Sequence, residues 1–285
     1  MAPMYPRVEE YMSSPVVAVS PQDTVSHVRR LMLRHRVGRI IVVNEASLPV
    51  GVVTRSDLAR LLGTERFSRR SLDSILVEEV MTPSPVTVKL NRSVREAARL
   101  MLQHGVSGLP VVDDEGRLVG IITKTDIVRA YAERLKGRYR VRDYMYTDPP
   151  EVGPQHSVFY VADLLDSHPS RRVLVVDGER LTGIIAPSDI AFLDNPPIVA
   201  REKGKRVRRF AELPKGRLGP VYKYMVLVAE DVMTPNPSSV GPDEDLGAAA
   251  SLMLQGGYSS VPVVEAERPV GIIVKHNLLK ALAEK

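Results

Sequence analysis

Cysteine is absent from the 285-residue chain. Its absence excludes disulfides, thiolate zinc sites and cysteine nucleophiles. No run of about 18 apolar residues is present either, so no membrane-spanning helix is expected. The first ten residues are polar and contain proline, and they lack the apolar stretch of a signal peptide; a cytoplasmic protein is expected. Catalytic signatures are also missing: there is no Walker loop, no Gly-x-Ser-x-Gly and no dinucleotide fingerprint. The six histidines stand at 27, 35, 104, 156, 168 and 276 without metal-ligand spacing. What remains is ordinary globular material, 44% hydrophobic and 26% charged, with a formal net charge of +5. That charge favours anionic partners without selecting among them.

The chain does have an internal repeat. A methionine-centred segment recurs at Tyr11-Met12-Ser13, Val80-Met81-Thr82, Tyr144-Met145-Tyr146 and Val232-Met233-Thr234. Each is followed by a Gly-apolar-apolar element, at Gly51, Gly120, Gly183 and Gly271. The offsets are 39 (51 − 12), 39 (120 − 81), 38 (183 − 145) and 38 (271 − 233) residues. Spacings between successive methionines are looser, at 69, 64 and 88. The unit is therefore fixed in length, and the connectors vary.

The second copy is the easiest to read. Pro85-Val86-Thr87-Val88 alternates like a short strand. Ser93, with Glu96 three residues on, has the pattern of a capping box. Val94, Ala97, Ala98 and Met101 follow at helical spacing, and Gly105 ends the helix. Leu109-Pro110-Val111-Val112 reads as a buried strand, Asp113 to Gly116 as a turn, Leu118 to Ile122 as the returning strand, and Asp126 to Leu135 as a second helix. His35 and His104 fall at helix ends, where the dipole favours them. Met32, Met101 and Met253 lie on apolar helix faces and are expected in the core. A β-α-β-β-α unit of this size is too small to bury its own sheet well, so the four should pair, roughly 1–136 with 137–285. The domains read as 1–64, 74–136, 137–193 and 228–285. The segment 194–227, rich in proline and arginine, reads as a long loop or extended arm.

Met-Thr-Pro-x-Pro-Val-x-Val, then Leu-Pro-Val-Val-Asp, then Gly-Ile-Ile-Thr-Lys-Thr-Asp resembles the cystathionine beta-synthase (CBS) domain. Residues 77–135 follow the pattern nearly throughout. The resemblance implies an α/β (α+β) fold of four CBS repeats, paired into two Bateman modules in a disc-like arrangement. The four-repeat layout is similar to that of the gamma subunit of AMP-activated protein kinase. It also implies an adenosine-containing ligand (AMP, ADP, ATP or S-adenosylmethionine) and no catalytic cofactor. In such a site the Asp of Gly-x-x-Thr-x-x-Asp accepts the ribose hydroxyls, and the Thr meets phosphate. Here these are Thr54 and Asp57 in the first repeat and Thr123 and Asp126 in the second. A carboxylate can accept a vicinal diol, and a helix start offers amides to phosphate. The same Thr-x-x-Asp is also a plain helix cap, and the two roles can coexist.

Arg39 and Arg172 precede the middle strand, where the resemblance implies phosphate-binding cations, and Lys124 and Arg55 are further candidates; solvated surface arginine is the alternative reading. Ser14, Pro15, Val16 and their counterparts Ser84, Pro85 and Val86 are expected to line the base pocket, and Leu109 and Pro110 join the ligand-facing set. The third repeat keeps Asp189 but has Ala186 in place of the threonine. The fourth has Val274 and Asn277, lacking both hydroxyl and carboxylate. Sites are therefore expected at the first two repeats, with the third altered and the fourth without one of the usual kind.

These features point to a non-enzymatic regulatory sensor that binds a small nucleotide and signals to an effector protein, with a homodimer left open. Two alternatives stand beside it. One is nucleic-acid binding through the basic arm 201–217, where only Phe210 could stack. The other is regulation of a purine-metabolism enzyme, since CBS pairs occur inside inosine-monophosphate dehydrogenases.

Overall fold

The computed structural model describes residues 5–62, 70–191, 210–212, 223–225 and 227–284. These fall into two compact units, Met1–Leu135 with Leu278–Lys285, and Lys136–Asn277. The division follows the expected pairing except at the C-terminal end, which groups with the first unit from Leu278 onward.

In the first unit, the first repeat runs β1 (Ala18–Val19), α1 (Val25–Arg34), β2 (Arg39–Val43), β3 (Pro49–Thr54) and α2 (Arg55–Leu62). A short strand β4 (Thr82–Pro83) opens the second repeat, followed by β5 (Val88–Lys89), α3 (Val94–Gln103), β6 (Gly108–Val112), β7 (Leu118–Thr123) and α4 (Lys124–Arg134). β1 lies parallel to β2 and β5 parallel to β6, and β2–β3 and β6–β7 form antiparallel hairpins. Ser93 Oγ accepts the Glu96 amide at 3.2 Å, starting α3 as its sequence suggests. Val94, Ala97, Ala98 and Met101 are buried at the i, i+3, i+4, i+7 spacing that places them on one face. His35 and His104 are the C-caps of α1 and α3, and Gly105 then takes φ +66°, which favours glycine. Met32 and Met101 are both buried, as expected.

Of the alternating segment Pro85–Val88 only Val88 lies in a strand, β5. Strand pairing breaks between β4 and β5, where Ser84 takes φ +52° and Pro85 has no N–H to donate. The strands on either side of the break join different sheets. β5 stays with its own repeat, whereas β4 adds antiparallel to β3 of the first repeat, Gly51 opposite Pro83 and Val52 opposite Thr82. The first repeat reciprocates, with Ser13 bridging Ile121 on β7.

The second unit follows the same plan. Its third repeat holds β8 (Tyr146–Thr147), β9 (Glu151–Val152), α5 (Val158–Ser167), β10 (Val173–Asp177), β11 (Arg180–Ile185) and α6 (Pro187–Ala191). Within the connector, β12 (Phe210–Glu212) and β13 (Lys223–Met225) pair antiparallel. That part of the expected extended arm is therefore a ladder; the rest of it, including most of the basic run 201–217, lies outside the described residues. The fourth repeat comprises α7 (Ala229–Val232), β14 (Thr234–Pro235), α8 (Leu246–Gln255), β15 (Ser260–Glu265), β16 (Arg268–Val274) and α9 (Lys275–Ala283). β14 pairs with β11, and β8 pairs with β16. Met253, on α8, is buried.

These exchanges bring the repeated methionines and glycines together across each pair of repeats. A side chain on Gly120 would meet Met12 Sδ at 2.6 Å, and one on Gly271 would meet Met145 Sδ at 2.7 Å. Met81 occupies the same place at Gly51, and Met233 at Gly183. Each methionine thus fills the space left by the glycine of the other repeat in its unit.

Candidate functional site

The Thr-x-x-Asp segments start α2 and α4. Asp57 Oδ2 accepts from the Thr54 amide at 2.8 Å and from Thr54 Oγ1 at 2.6 Å. Asp126 Oδ2 accepts from the Thr123 amide at 2.8 Å and Thr123 Oγ1 at 2.7 Å. The other carboxylate oxygens take an arginine one turn on: Arg60 at 3.3 Å from Asp57 Oδ1 and Arg129 at 3.0 Å from Asp126 Oδ1. The capping role is therefore present in both repeats. With Oδ2 holding two donors and Oδ1 one, a single lone pair per carboxylate faces no protein donor. This differs from a diol clamp with both oxygens open. The degenerate repeats keep the cap. Asp189 Oδ2 accepts the Ala186 amide at 2.8 Å, and the buried Asn277 accepts the Val274 amide at 2.7 Å. A carboxylate or an amide oxygen can close the helix start, so the cap alone does not require the charge found in the first three repeats.

A cleft of about 370 Å³ opens at the first repeat. Arg39, Val52 and Thr54 of the first repeat line one side, and Thr82, Ser84, Pro85 and Val86 of the second line another. The loop His104–Gly108 and Pro110 complete it. Asp57 stands behind Thr54 rather than on the wall, and Leu109 is fully buried in the core. Ser14 lies with the other repeat, its Oγ donating to Val119 O at 2.9 Å. Pro15 and Val16 follow it along that path. The swap of the opening segments thus gives each third strand the Ser-Pro-Val segment of its neighbour. The His104–Gly108 loop was not anticipated; the repeat offset does align it with His35–Arg39, but nothing in that alignment says that it crosses over.

Arg39 donates from Nη2 to Ser107 Oγ at 2.8 Å and lies flat over Gly108, where a side chain would collide with its guanidinium. Burial lowers its pKa, and Asp126 partly opposes the shift. Lys124 at the start of α4 is also lowered, by burial first and by Arg39 second. Among the described residues the Lys124 ammonium has no hydrogen bond or ion pair. Among the described residues Arg55 donates to the Val37 carbonyl alone, at 3.5 Å.

A second cleft, about 250 Å³, opens at the third repeat. Arg172, Ile184, Ala186, Ser188 and Asp189 face the Thr234–Ser238 segment and the loop Gly257–Ser260. Here Arg172 is held on three sides. Nε donates to Ser260 Oγ at 2.9 Å, Nη2 to Ser259 Oγ at 2.7 Å and Nη1 to Arg171 O at 2.7 Å. Burial lowers its pKa as well, with Asp189 opposing.

The CBS domain family model matches residues 8–64, 77–133, 141–194 and 228–284, and the chain belongs to that family. It is similar to the uncharacterised protein MJ1225 of Methanocaldococcus jannaschii, with 27% identity over 281 residues covering 94% of this chain and 95% of that one. The crystal structure of MJ1225, described as that of a proposed archaeal homologue of γ-AMPK, superposes with TM-score 0.68 at 23% identity, covering 98% of this chain and all of the other. The chain is also 35% identical over 127 residues to the inosine-5'-monophosphate dehydrogenase of Korarchaeum cryptofilum. That match covers 45% of this chain and 25% of the enzyme. Among the described residues no helix is long and apolar enough to cross a membrane.

Proposed function

We propose that this protein is a regulatory adenine-nucleotide sensor without catalytic activity of its own. It binds AMP, ADP, ATP or S-adenosylmethionine between paired CBS repeats. The observation that carries the reading is the composition of the first cleft. Thr54 and Arg39 from one repeat face Ser84, Pro85 and Val86 from the other across about 370 Å³, within the range of small-molecule sites. A helix start and a half-buried cation serve phosphate. Apolar walls serve the base, and Thr54, held on the wall by the Asp57 carboxylate, serves the ribose. The description of MJ1225 as a γ-AMPK homologue supports a regulatory role.

The mechanism is a population shift. A ligand touching both repeats stabilises one arrangement of the pair by its differential affinity, and an effector protein reads that arrangement. Calorimetric titration of the full chain with AMP, ADP, ATP and S-adenosylmethionine tests the proposal. Saturable binding by at least one of them, weakened in Asp57→Asn, is expected. Heats indistinguishable from dilution for all four would end it.

A further inference from the structure

We infer that the two clefts are not redundant: the cleft of the first unit takes a nucleoside carrying phosphate, and the cleft of the second takes a nucleoside whose 5′ end is uncharged. This rests on the proposed adenosine-ligand reading and assigns a different ligand chemistry to each cleft.

The assignment follows from how each guanidinium is used. Arg39 and Arg172 occupy equivalent places, yet Arg39 gives one hydrogen bond, to Ser107, and Arg172 gives three. Ser259 answers Ser107, and the two additional bonds of Arg172 come from Ser260 and the Arg171 carbonyl. Gly108 has no side chain, so Arg39 lies over it with most of its fork undirected. Ser260 stands at the matching position in the second unit and binds Arg172 Nε itself. Charge runs the same way. Arg39 has no ion-pair partner among the described residues, and its like-charged neighbour Lys124 has none either. Two part-buried cations without a carboxylate in contact favour an anion. Each arginine is opposed by one carboxylate, Arg39 by Asp126 and Arg172 by Asp189, but only Asp189 lies on the wall of its own cleft. The threonine hydroxyl is replaced by Ala186, and Tyr258 adds an aromatic face where the first cleft has Val106. That wall offers an aromatic face and sets a carboxylate beside the guanidinium.

The test uses the full chain with three probes: AMP, adenosine and inorganic pyrophosphate. AMP is expected to fill one strong site, weakened at least tenfold in the Arg39→Met, Lys124→Met double variant and unchanged by Tyr258→Ala. Adenosine is expected to show the opposite dependence. Pyrophosphate is expected to displace AMP without displacing adenosine. Ser260→Gly, which copies the first cleft, is expected to create a second AMP site without requiring any loss of fold. Two equal AMP sites in the unaltered chain, or AMP binding that follows Tyr258 rather than Arg39 and Lys124, would overturn the assignment. If pyrophosphate bound through Arg39 and Lys124 but no adenine compound bound, the anion site would stand and the adenosine reading would fall. Pyrophosphate binding indifferent to both residues would remove the anion site itself.

Discussion

Met81 of the second repeat lies against Gly51 of the first, in the space a side chain on residue 51 would need. The reciprocal contact joins Met12 to Gly120. Gly51→Ala should therefore destabilise the protein by about 1–3 kcal/mol through overpacking. Met81→Ala should recover part of that loss, giving a coupling of about 0.5–3 kcal/mol in a double-mutant cycle read by urea unfolding. Gly51→Ala combined with Met12→Ala should be additive, because those two residues share a repeat in sequence and not a contact in space.

The Asp57 carboxylate closes the start of α2 with one oxygen and leaves a lone pair on the other. Asn277 shows that an amide oxygen serves the closing role in the fourth repeat. Asp57→Asn should therefore keep the thermal midpoint close to that of the parent. Asp57→Ala should cost about 0.5–2 kcal/mol of stability as a lost cap. Both should weaken nucleotide binding, by about 1–3 kcal/mol for one lost charge-assisted bond. Equal affinity in Asp57→Asn and the parent would leave Asp57 a cap alone.

Lys124 titrates below the ordinary lysine value of 10.5, through burial and then through Arg39. In the window between its lowered value and 10.5 the unfolded chain holds more protons than the folded one. Its contribution to stability without ligand therefore rises with pH across that window. A phosphate bound beside it restores the proton, so affinity for a phosphorylated nucleotide should fall as pH rises through the same window. Titrations at several pH values check both signs, and Lys124→Met should flatten the two dependences together.

Gly108 leaves the room that Arg39 occupies. Gly108→Ser should push the guanidinium aside and tie it as Ser260 ties Arg172. The expected result is a roughly tenfold or greater loss of AMP affinity, of the order of one charge-assisted hydrogen bond, with adenosine binding in the second unit unchanged. Parallel titrations with the two ligands check it.

Much of the fold was legible because it rests on local rules. Val94, Ala97, Ala98 and Met101 announce a helix face by spacing alone, and Gly105 and the histidine caps mark helix ends. The candidate site was legible as a set of residues but not as an assembly. Pro85 to Val88 read as one short strand, whereas the bend at Ser84 leaves Thr82 and Pro83 on the neighbouring sheet. Only that long-range pairing puts Ser84 beside Thr54 and Ser14 beside Val119. The same holds for Arg172: its three bonds come from Arg171 and from residues nearly ninety positions away, a distance that no periodicity encodes. Asp57 shows the cap that its spacing also allowed. Its residue type suits a diol with two open oxygens, but the helix start and Arg60 claim most of its capacity.

Native mass spectrometry of the full chain incubated with adenine nucleotides tests the central claim most directly, since it counts bound ligands and weighs them. The account predicts a chain carrying one phosphorylated adenine nucleotide at low ligand concentration, with that adduct sharply reduced in the Arg39→Met, Lys124→Met variant. A chain that remains bare with AMP, ADP, ATP and S-adenosylmethionine alike would contradict it.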